Sequence, residues 1–561
     1  MNREGISELV ANLLAKRGLA GEEAERFLSP DFARDTHDPF LLADMDRAVA
    51  RILAAMRQGE RIAVYGDFDC DGIPGSALLF DTFRKIGYEN VEVYIPHRDR
   101  EGYGFHTAAI DALAERRVRL IITVDVGTVA FEGVDHAKSK GVDVIVTDHH
   151  EIQGALPECI VINPKREPYP FKDLCGAATA WKLACALLTE GKRQKLENFA
   201  AIPDGWEKWL LDLVAISTVA DLVPLVGENR ALAHFGLTVL RKSIRPGIRA
   251  LATQTRARLA TVTEDDIGFS FAPRINAASR MDEPELALRL LTTQDADEAS
   301  TIAAQLESLN RKRRGVVAAI VREAKARAAA RYTESDRVIV LGDTEWKPAL
   351  MGLAANSLME GRGGVVIMWG RDANGKLKGS ARSDGTISVV ELFAAAGDAL
   401  EEFGGHHASG GFSVSHEAVH TLQERLAAAL VSLAPAGKVK EEKAADAEIL
   451  LSQVSTTLLR DFSRLAPFGM GNPKPLFRVV RTVITSARKF GKEMNHTEVM
   501  LVCSETGARQ RAFQFFRSPK DFTLMPEADL QADLLATLEK DAFRGEHALA
   551  LRIADILLPR A

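Results

Sequence analysis

What is missing narrows the field first. No apolar run is long enough to span a bilayer, and the N-terminus (Met1-Asn2-Arg3-Glu4-Gly5) lacks a signal-type hydrophobic segment, so a cytoplasmic protein is expected. Only five cysteines occur in 561 residues: Cys70, Cys159, Cys175, Cys185 and Cys503. None forms a CxxC pair, which argues against a disulfide framework or a thiolate zinc site and fits a reducing compartment. The net charge of −6 does not advertise a nucleic-acid partner, although a local basic groove can sit on an acidic protein. There is no internal repeat. The proportions are those of a globular protein (46% hydrophobic, 26% charged), and the length suits three or four domains.

One stretch organises what is there: Val64-Tyr65-Gly66-Asp67-Phe68-Asp69-Cys70-Asp71-Gly72. A short apolar strand precedes it, and Gly72 to Lys85 reads as a helix with small residues in its first turns. Asp67, Asp69 and Asp71 therefore leave a buried strand at its C-terminal end, the edge where open α/β sheets bind ligands. Like charges at this spacing repel, and a hard divalent cation offsets that cost. An Asp-rich turn that caps the following helix is the competing reading. Further strands are expected at 91–95, 119–125 and 142–147, with helical patterns between them. That alternation predicts a parallel sheet covered on both faces. The third strand ends in Asp125 and the fourth in Asp148-His149-His150. Three strands of one sheet thus deliver acids or imidazoles to one edge, which favours a metal over surface turns. Asp221 ends an apolar helix, where it opposes the helix dipole; a cation would compensate, and a solvated Asp is the alternative. Cys70 lies among carboxylates that disfavour its thiolate, so metal-activated water is a better nucleophile than any serine or cysteine.

The expected organisation is an amphipathic helical arm (1–60), an α/β catalytic domain (61–296), a long bridging helix (297–331), a second smaller α/β domain (332–433), a linker (434–447) and a β-barrel (448–561). The bridging helix carries Arg311-Lys312-Arg313-Arg314, either a solvated face or the wall of a nucleic-acid channel. In the second domain, Ser380 and Arg382 stand two apart and can share one phosphate. The Gly-rich run Phe403 to Phe412 offers backbone N–H groups to phosphate, or is simply a tight loop. Five strand-like runs in the tail (476–485, 497–503, 510–516, 531–538, 547–555) predict an OB-fold, with Phe513, Phe515 and Phe516 as stacking candidates of which at least half should be core.

The set Gly66-Asp67-Phe68-Asp69-Cys70-Asp71-Gly72, Val124-Asp125, Asp148-His149-His150 and Val219-Ala220-Asp221 resembles, in order and spacing, the four motifs of the DHH phosphoesterase superfamily. Within it the chain resembles the RecJ family of bacterial 5′→3′ single-strand exonucleases. Pro96-His97-Arg98, Glu101-Gly102-Tyr103-Gly104 and Ala272-Pro273-Arg274-Ile275-Asn276-Ala277-Ala278-Ser279-Arg280-Met281 extend the likeness over nearly the whole chain from about residue 40. The resemblance implies metal ligation by Asp67, Asp69, Asp125, His149 and Asp221, with two Mn²⁺ or Mg²⁺ ions. It implies an accessory catalytic role for His150 near the scissile phosphate and a bracing role for Asp71. Substrate contacts would come from Arg98, Asn276, Arg280, Ser380, Arg382 and His406. Of these, Ser380, Arg382 and Arg98 would hold the 5′ end, and Arg280 and His406 the nucleotide nearer the metals. The second α/β unit would be the DHH-associated domain. The implied activity is hydrolysis of single-stranded DNA from its 5′ end to short 5′-phosphorylated products, in repair and recombination. A monomer is expected, with single-strand-binding protein and a RecQ-type helicase as partners. One position departs from the family: Tyr65 stands where His is common, and a phenol is a poor metal ligand. Two other functions compete. A phosphodiesterase for oligoribonucleotides or cyclic dinucleotides is disfavoured by the barrel and by Pro273 to Arg280. A non-catalytic single-strand-binding scaffold is disfavoured because every ligand position is still Asp or His.

Overall fold

Five apolar stretches of the first half pair as one parallel sheet: β1 (Arg61–Gly66), β2 (Val91–Tyr94), β3 (Val118–Val124), β4 (Asp143–Thr147) and β5 (Ile160–Ile162). Their spatial order is β2-β1-β3-β4-β5, so the chain changes direction between β1 and β3. At such a switch point the strand ends open a crevice for a ligand. Helices Thr107–Glu115 and Phe131–Ser139 pack on the face that carries Ala63, Tyr65, Ile121 and Val146. Met45–Gln58, Gly72–Ile86 and Gly176–Arg193 also pack on the sheet and on one another. Gly75 sets the closeness of that layer: a Cβ there would sit 2.6 Å from Val124 Cγ1 and 3.0 Å from Ala177 Cα. The short strand β5 lies outside the expected set; three residues carry too little pattern to announce a strand.

The computed structural model describes residues 7–152, 154–333, 335–433, 444–491, 494–541 and 548–560. Two compact units divide the chain. One holds Thr36–Val223 and Gly227–Lys440; the other holds Met1–Asp35, Pro224–Val226 and Glu441–Ala561. The helical arm expected over 1–60 is therefore split. Helices Glu8–Lys16 and Gly21–Leu28 bury Val10, Leu13, Leu14 and Ala24 in the core of the barrel, whereas Met45–Gln58 packs on the parallel sheet. Most of the connection expected at 434–447 (434–443) lies outside the described residues. Among the described residues, no helix is long and apolar enough to cross a membrane.

Within the larger unit, the helix Ala296–Arg331 runs for 36 residues, about 54 Å at the usual rise. Its start is capped by Asp295, whose carboxylate accepts the N–H groups of Asp297 and Glu298. Its first half packs on Ala272–Arg280 and Pro284–Thr292. Its second half buries Ile320, Ala324 and Ala328 against Trp346, Leu350 and Met351 of the next domain. That domain is a mixed sheet, β6-β7-β8-β10-β9, built from β6 (Val338–Gly342), β7 (Val365–Arg371), β8 (Leu377–Ser383), β9 (Glu402–Gly405) and β10 (Ser409–Val414). Only β6 and β7 are parallel. The Gly-rich run forms a β9–β10 hairpin, and two of its glycines are needed for packing: a Cβ on Gly410 would come within 2.8 Å of Val389, and one on Gly405 within 2.4 Å of the Ser409 carbonyl.

In the smaller unit, β12 (Phe477–Phe490), β13 (His496–Cys503), β14 (Arg509–Gln514), β15 (Leu530–Lys540) and β16 (Leu549–Leu557) close a barrel, with β12 paired to both β13 and β15. β11 (Ala447–Leu450) adds a sixth, parallel strand on β12. Phe513 is buried and Phe516 is 82% exposed. Arg552 lies 4.6 Å from the ring centres of both Phe513 and Phe515.

Candidate metal centre

The sheet ladder itself aims the acids. Asp67 N–H donates to the carbonyl of Val124, Asp125 N–H to that of Thr147, and Asp148 N–H to that of Ile162. Each acidic residue is thus pinned one position beyond its strand by the neighbouring strand. Asp125 is further constrained to φ +63°, an unusual backbone for a non-glycine residue. Gly176 makes that fit possible, since a Cβ there would lie 2.6 Å from Asp125 Cβ. Gly72 plays the same part for Asp67, whose backbone carbonyl would be 2.4 Å from an added Cβ.

Three overlapping groups of ligand atoms result: Asp67, Asp69 and Asp125; Asp125, His149 and His150; and Asp71, His149 and Asp221. His149 Nε2 lies 3.1 Å from Asp125 Oδ1 and 3.7 Å from Asp221 Oδ2. Oδ1 of Asp67 and Oδ1 of Asp125 are buried and accept no hydrogen bond among the described residues. Buried carboxylate oxygens without donors are costly. Burial, then mutual repulsion, holds the carboxyls of Asp67, Asp125 and Asp221 well above the ordinary range. Burial and the neighbouring His150 push His149 down to about 4, so its imidazole is neutral and free to ligate. Orphaned hard oxygens beside one neutral imidazole fit divalent cations of the Mg²⁺ and Mn²⁺ kind.

The remaining acids brace this set. Asp71 accepts the N–H groups of Gly176 (2.6 Å) and Ala177 (2.8 Å), the first turn of Gly176–Arg193. Asp69 Oδ1 accepts from Asp71 and Gly72, so capping and cation ligation are not exclusive readings of this turn. Asp148 is buried; Oδ2 accepts from Thr128 N–H, and Oδ1 accepts from His149 N–H and His150 Nδ1 (2.7 Å). Burial opposes protonation of His150, but this bond together with the charges of Asp148, Asp221 and Asp67 outweighs it and raises His150 to about 9. The exposed Tyr103 hydroxyl donates to the Asp125 carbonyl and lies 3.2 Å from His150 Nδ1. Asp148 and Tyr103 both fall within the sequence motifs, but spacing alone does not reveal these roles.

The expected substrate residues divide. Arg98 stands on a loop closed by Glu101, which accepts from His97 N–H and Tyr94 O–H; its guanidinium lies 4.6 Å from the Phe68 ring centre, and Asp67 and Asp69 act on its charge. Arg280 donates to the Ala349 carbonyl. Ser380 and Arg382 share one face of β8, against Gly352, where a Cβ would sit 2.6 Å from Arg382 Nη2. Asn276 Oδ1 accepts Cys70 N–H (3.0 Å), so this side chain supports the acidic turn. His406 is exposed in the β9–β10 turn and is not part of the ligand groups. Tyr65 is fully buried, and its hydroxyl donates to the Gly104 carbonyl at 3.0 Å.

Known proteins share this architecture. Family models match at residues 61–218 (DHH family, N-terminal domain), 335–432 (DHHA1 domain) and 445–555 (RecJ OB domain). The single-stranded-DNA-specific exonuclease RecJ of Bacillus subtilis is 35% identical over 88% of this chain, which spans 62% of that protein's length. RecJ of Salmonella typhimurium is 31% identical over 92% of this chain and 90% of its own. The chain belongs to the RecJ family. The crystal structure of RecJ from Thermus thermophilus in complex with Mn²⁺ superposes with a TM-score of 0.80 at 28% identity, covering 99% of this chain and 76% of that one. The same RecJ is also known in complex with Mg²⁺.

Proposed function

We propose that the protein is a metal-dependent exonuclease that hydrolyses single-stranded DNA from its 5′ end. The observation that carries this reading is the pairing, within one unit, of an acidic ligand cluster with a set of arginines and Ser380 able to hold a terminal phosphate. Asp67, Asp69 and Asp125 would hold one cation, and Asp125, His149 and Asp221 a second. When bound, divalent cations would polarise the scissile phosphate and acidify the attacking water. His150, kept protonated by Asp148, offers a cationic donor to a phosphate oxygen. Asp71 and Asn276 hold the acidic turn rigid. Ser380, Arg382 and Arg98 would bind the terminal phosphate, which makes cleavage end-dependent and the products short. Arg280 and His406 would contact nearer nucleotides. A monomer acting in cytoplasmic DNA repair and recombination, beside single-strand-binding protein and a RecQ-type helicase, is the setting this reading suggests.

The test uses purified protein, Mn²⁺, and a 5′-phosphorylated single strand labelled at its 3′ end, with the matching duplex and RNA. Shortening of the single-stranded DNA alone, stopped by chelator, is the expected result. Turnover of dinucleotides without attack on long DNA would replace this reading with a small-substrate phosphodiesterase, and binding without cleavage with a scaffold.

A further inference from the structure

The four basic residues at the middle of the long helix are not equivalent. Arg311 and Arg314 are exposed, and each stands 3.9 Å from the Glu307 carboxylate. Arg313 is half-buried. The inward stripe of this helix runs through Ala299, Ile302, Leu306, Ile320, Ala324 and Ala328. Asn310, Arg313 and Val317 continue it at helical spacing, so the stripe turns polar where the helix passes from one domain core to the next. Asn310 is buried, and its Oδ1 accepts from Arg313 Nη2 at 2.9 Å. Arg313 Nε is buried too, yet donates to no acceptor among the described residues. A buried guanidinium N–H left unmatched is unfavourable unless a ligand meets it.

The surroundings say which kind of ligand. Arg280 and Arg382 are both seated on the first turns of Pro348–Arg362, at Ala349 and Gly352, positions that share a helix face. The second half of the long helix packs against that same helix. The positive charges acting on Arg280 are those of Arg98, Arg313 and Arg382, with Asp69 opposing. Arg98 has Asp67 and Asp69 nearby, and Arg274 and Arg314, the charges that face Arg313, both reach Glu307; the Nε of Arg313, unmatched among these cations, suits a polyanion.

We infer that Arg313, together with Arg280, holds an internal phosphodiester of the bound single strand, distinct from the terminal phosphate given to Arg98, Ser380 and Arg382. Arg313 is thereby a positioning residue that sets how the strand lies along the long helix. This rests on the nuclease reading above.

The full-length protein is assayed on 5′-phosphorylated single strands that each carry one methylphosphonate, an uncharged linkage, at successive positions from the 5′ end. Wild type should lose at least about tenfold in kcat/KM at one linkage besides the scissile one. R313Q should lose a similar factor on the all-phosphate strand, mainly through KM, and should no longer respond to the methylphosphonate at that linkage. Its preference for a 5′ phosphate should persist. R311Q and R314Q should keep the wild-type pattern. R313K, which retains the charge, should fall between and serves if R313Q folds poorly. The inference is overturned if R313Q matches wild type, or if it loses the same factor on every strand, as a merely structural residue would. If wild type cleaves no DNA, the nuclease reading fails separately. The same strands are then compared by fluorescence anisotropy with Mn²⁺ present, and Arg313 stands or falls on whether its linkage sensitivity is seen in binding.

Discussion

Asp67, Asp125 and Asp148 sit one residue beyond adjacent strands, and each is fixed by a hydrogen bond from its own backbone to the next strand. Arg98, Arg280 and Arg382 come instead from a loop, a helix end and the inside of β8, in segments far apart in sequence. Both clusters crowd like charges, but they are held by different means. The carboxylates are clamped by a rigid parallel ladder, so repulsion cannot be relieved by movement, and protonation or a bound cation must relieve it. The arginines are held by a few contacts each: Arg98 over the Phe68 ring, Arg280 on the Ala349 carbonyl, and Arg382 on the Ala381 carbonyl beside Gly352. Damage to the first cluster should therefore appear in the chemical step, and damage to the second in substrate binding.

The sharpest way to break this contrast is at Asp125. Asp125→Asn should lower kcat by at least about 1,000-fold, as expected when the charge organising a cation is lost. The same variant should be at least as heat-stable as wild type in EDTA, because it removes one member of a repelling buried set. A Tm by calorimetry below that of wild type in EDTA would show that the carboxylate is structural. Arg382→Ala should come next in size. Losing charged hydrogen bonds to a terminal phosphate should raise KM for 5′-phosphorylated strands by about 10–100-fold, with kcat little changed. Strands with a 5′ hydroxyl should be affected far less. An equal loss on both would place Arg382 elsewhere on the strand.

A smaller effect tests the electrostatics of the acidic cluster directly. Asp67, Asp125 and Asp221 are held above the ordinary carboxyl range by burial and then by one another. His150 is raised to about 9 through Asp148 against the cost of burial. Groups with raised values carry more protons folded than unfolded, so stability falls as pH rises through their titration. His149, lowered to about 4, works the other way, but its window closes near pH 6.5. From about pH 6.5 to 9 the signs agree, and the metal-free Tm should fall. With Mn²⁺ at about 100 times its Kd, stability should rise by about 2.7 kcal/mol. The fall with pH should shrink, because ligation requires the deprotonated carboxylates. A metal-free Tm that climbs over this range would refute the buried-charge account.

The contrast also explains what was legible beforehand. Strand ends advertise themselves: an apolar run followed by Asp or His predicts both the element and its edge, and Asp125 lies within reach of Asp67 on one side and of His149 on the other. Asp71 shows the limit, since its spacing suits a ligand as well as the helix brace it forms. The glycines at 404–411 are ambiguous in sequence because glycine permits close approach of any kind: Gly405 and Gly410 have close neighbours in Ser409 and Val389, whereas Gly404 has open space beside it. The split of the N-terminal arm was hidden because an amphipathic helix states that it has a partner but not which one. Arg313 was hidden among three exposed basic neighbours until Asn310 and the inward stripe marked it out.

Tyr65 offers the finest test, because it joins the two clusters without belonging to either. It lies on β1, two residues before Asp67, yet its ring is packed among Tyr94 and Phe105 and its hydroxyl serves the Gly104 carbonyl. That carbonyl ends the loop carrying Arg98 and Tyr103. Tyr65→Phe removes one neutral hydrogen bond and leaves the packing, so it should cost about 1 kcal/mol of stability. The freed loop should raise KM a few-fold with kcat unchanged, the signature of the arginine cluster. Tyr65→His would put a smaller, polar ring into an apolar pocket and should cost more stability. If it instead raised kcat or tightened Mn²⁺ binding, the imidazole would be reaching the acids, and this position would belong to the metal centre rather than to the loop that faces it.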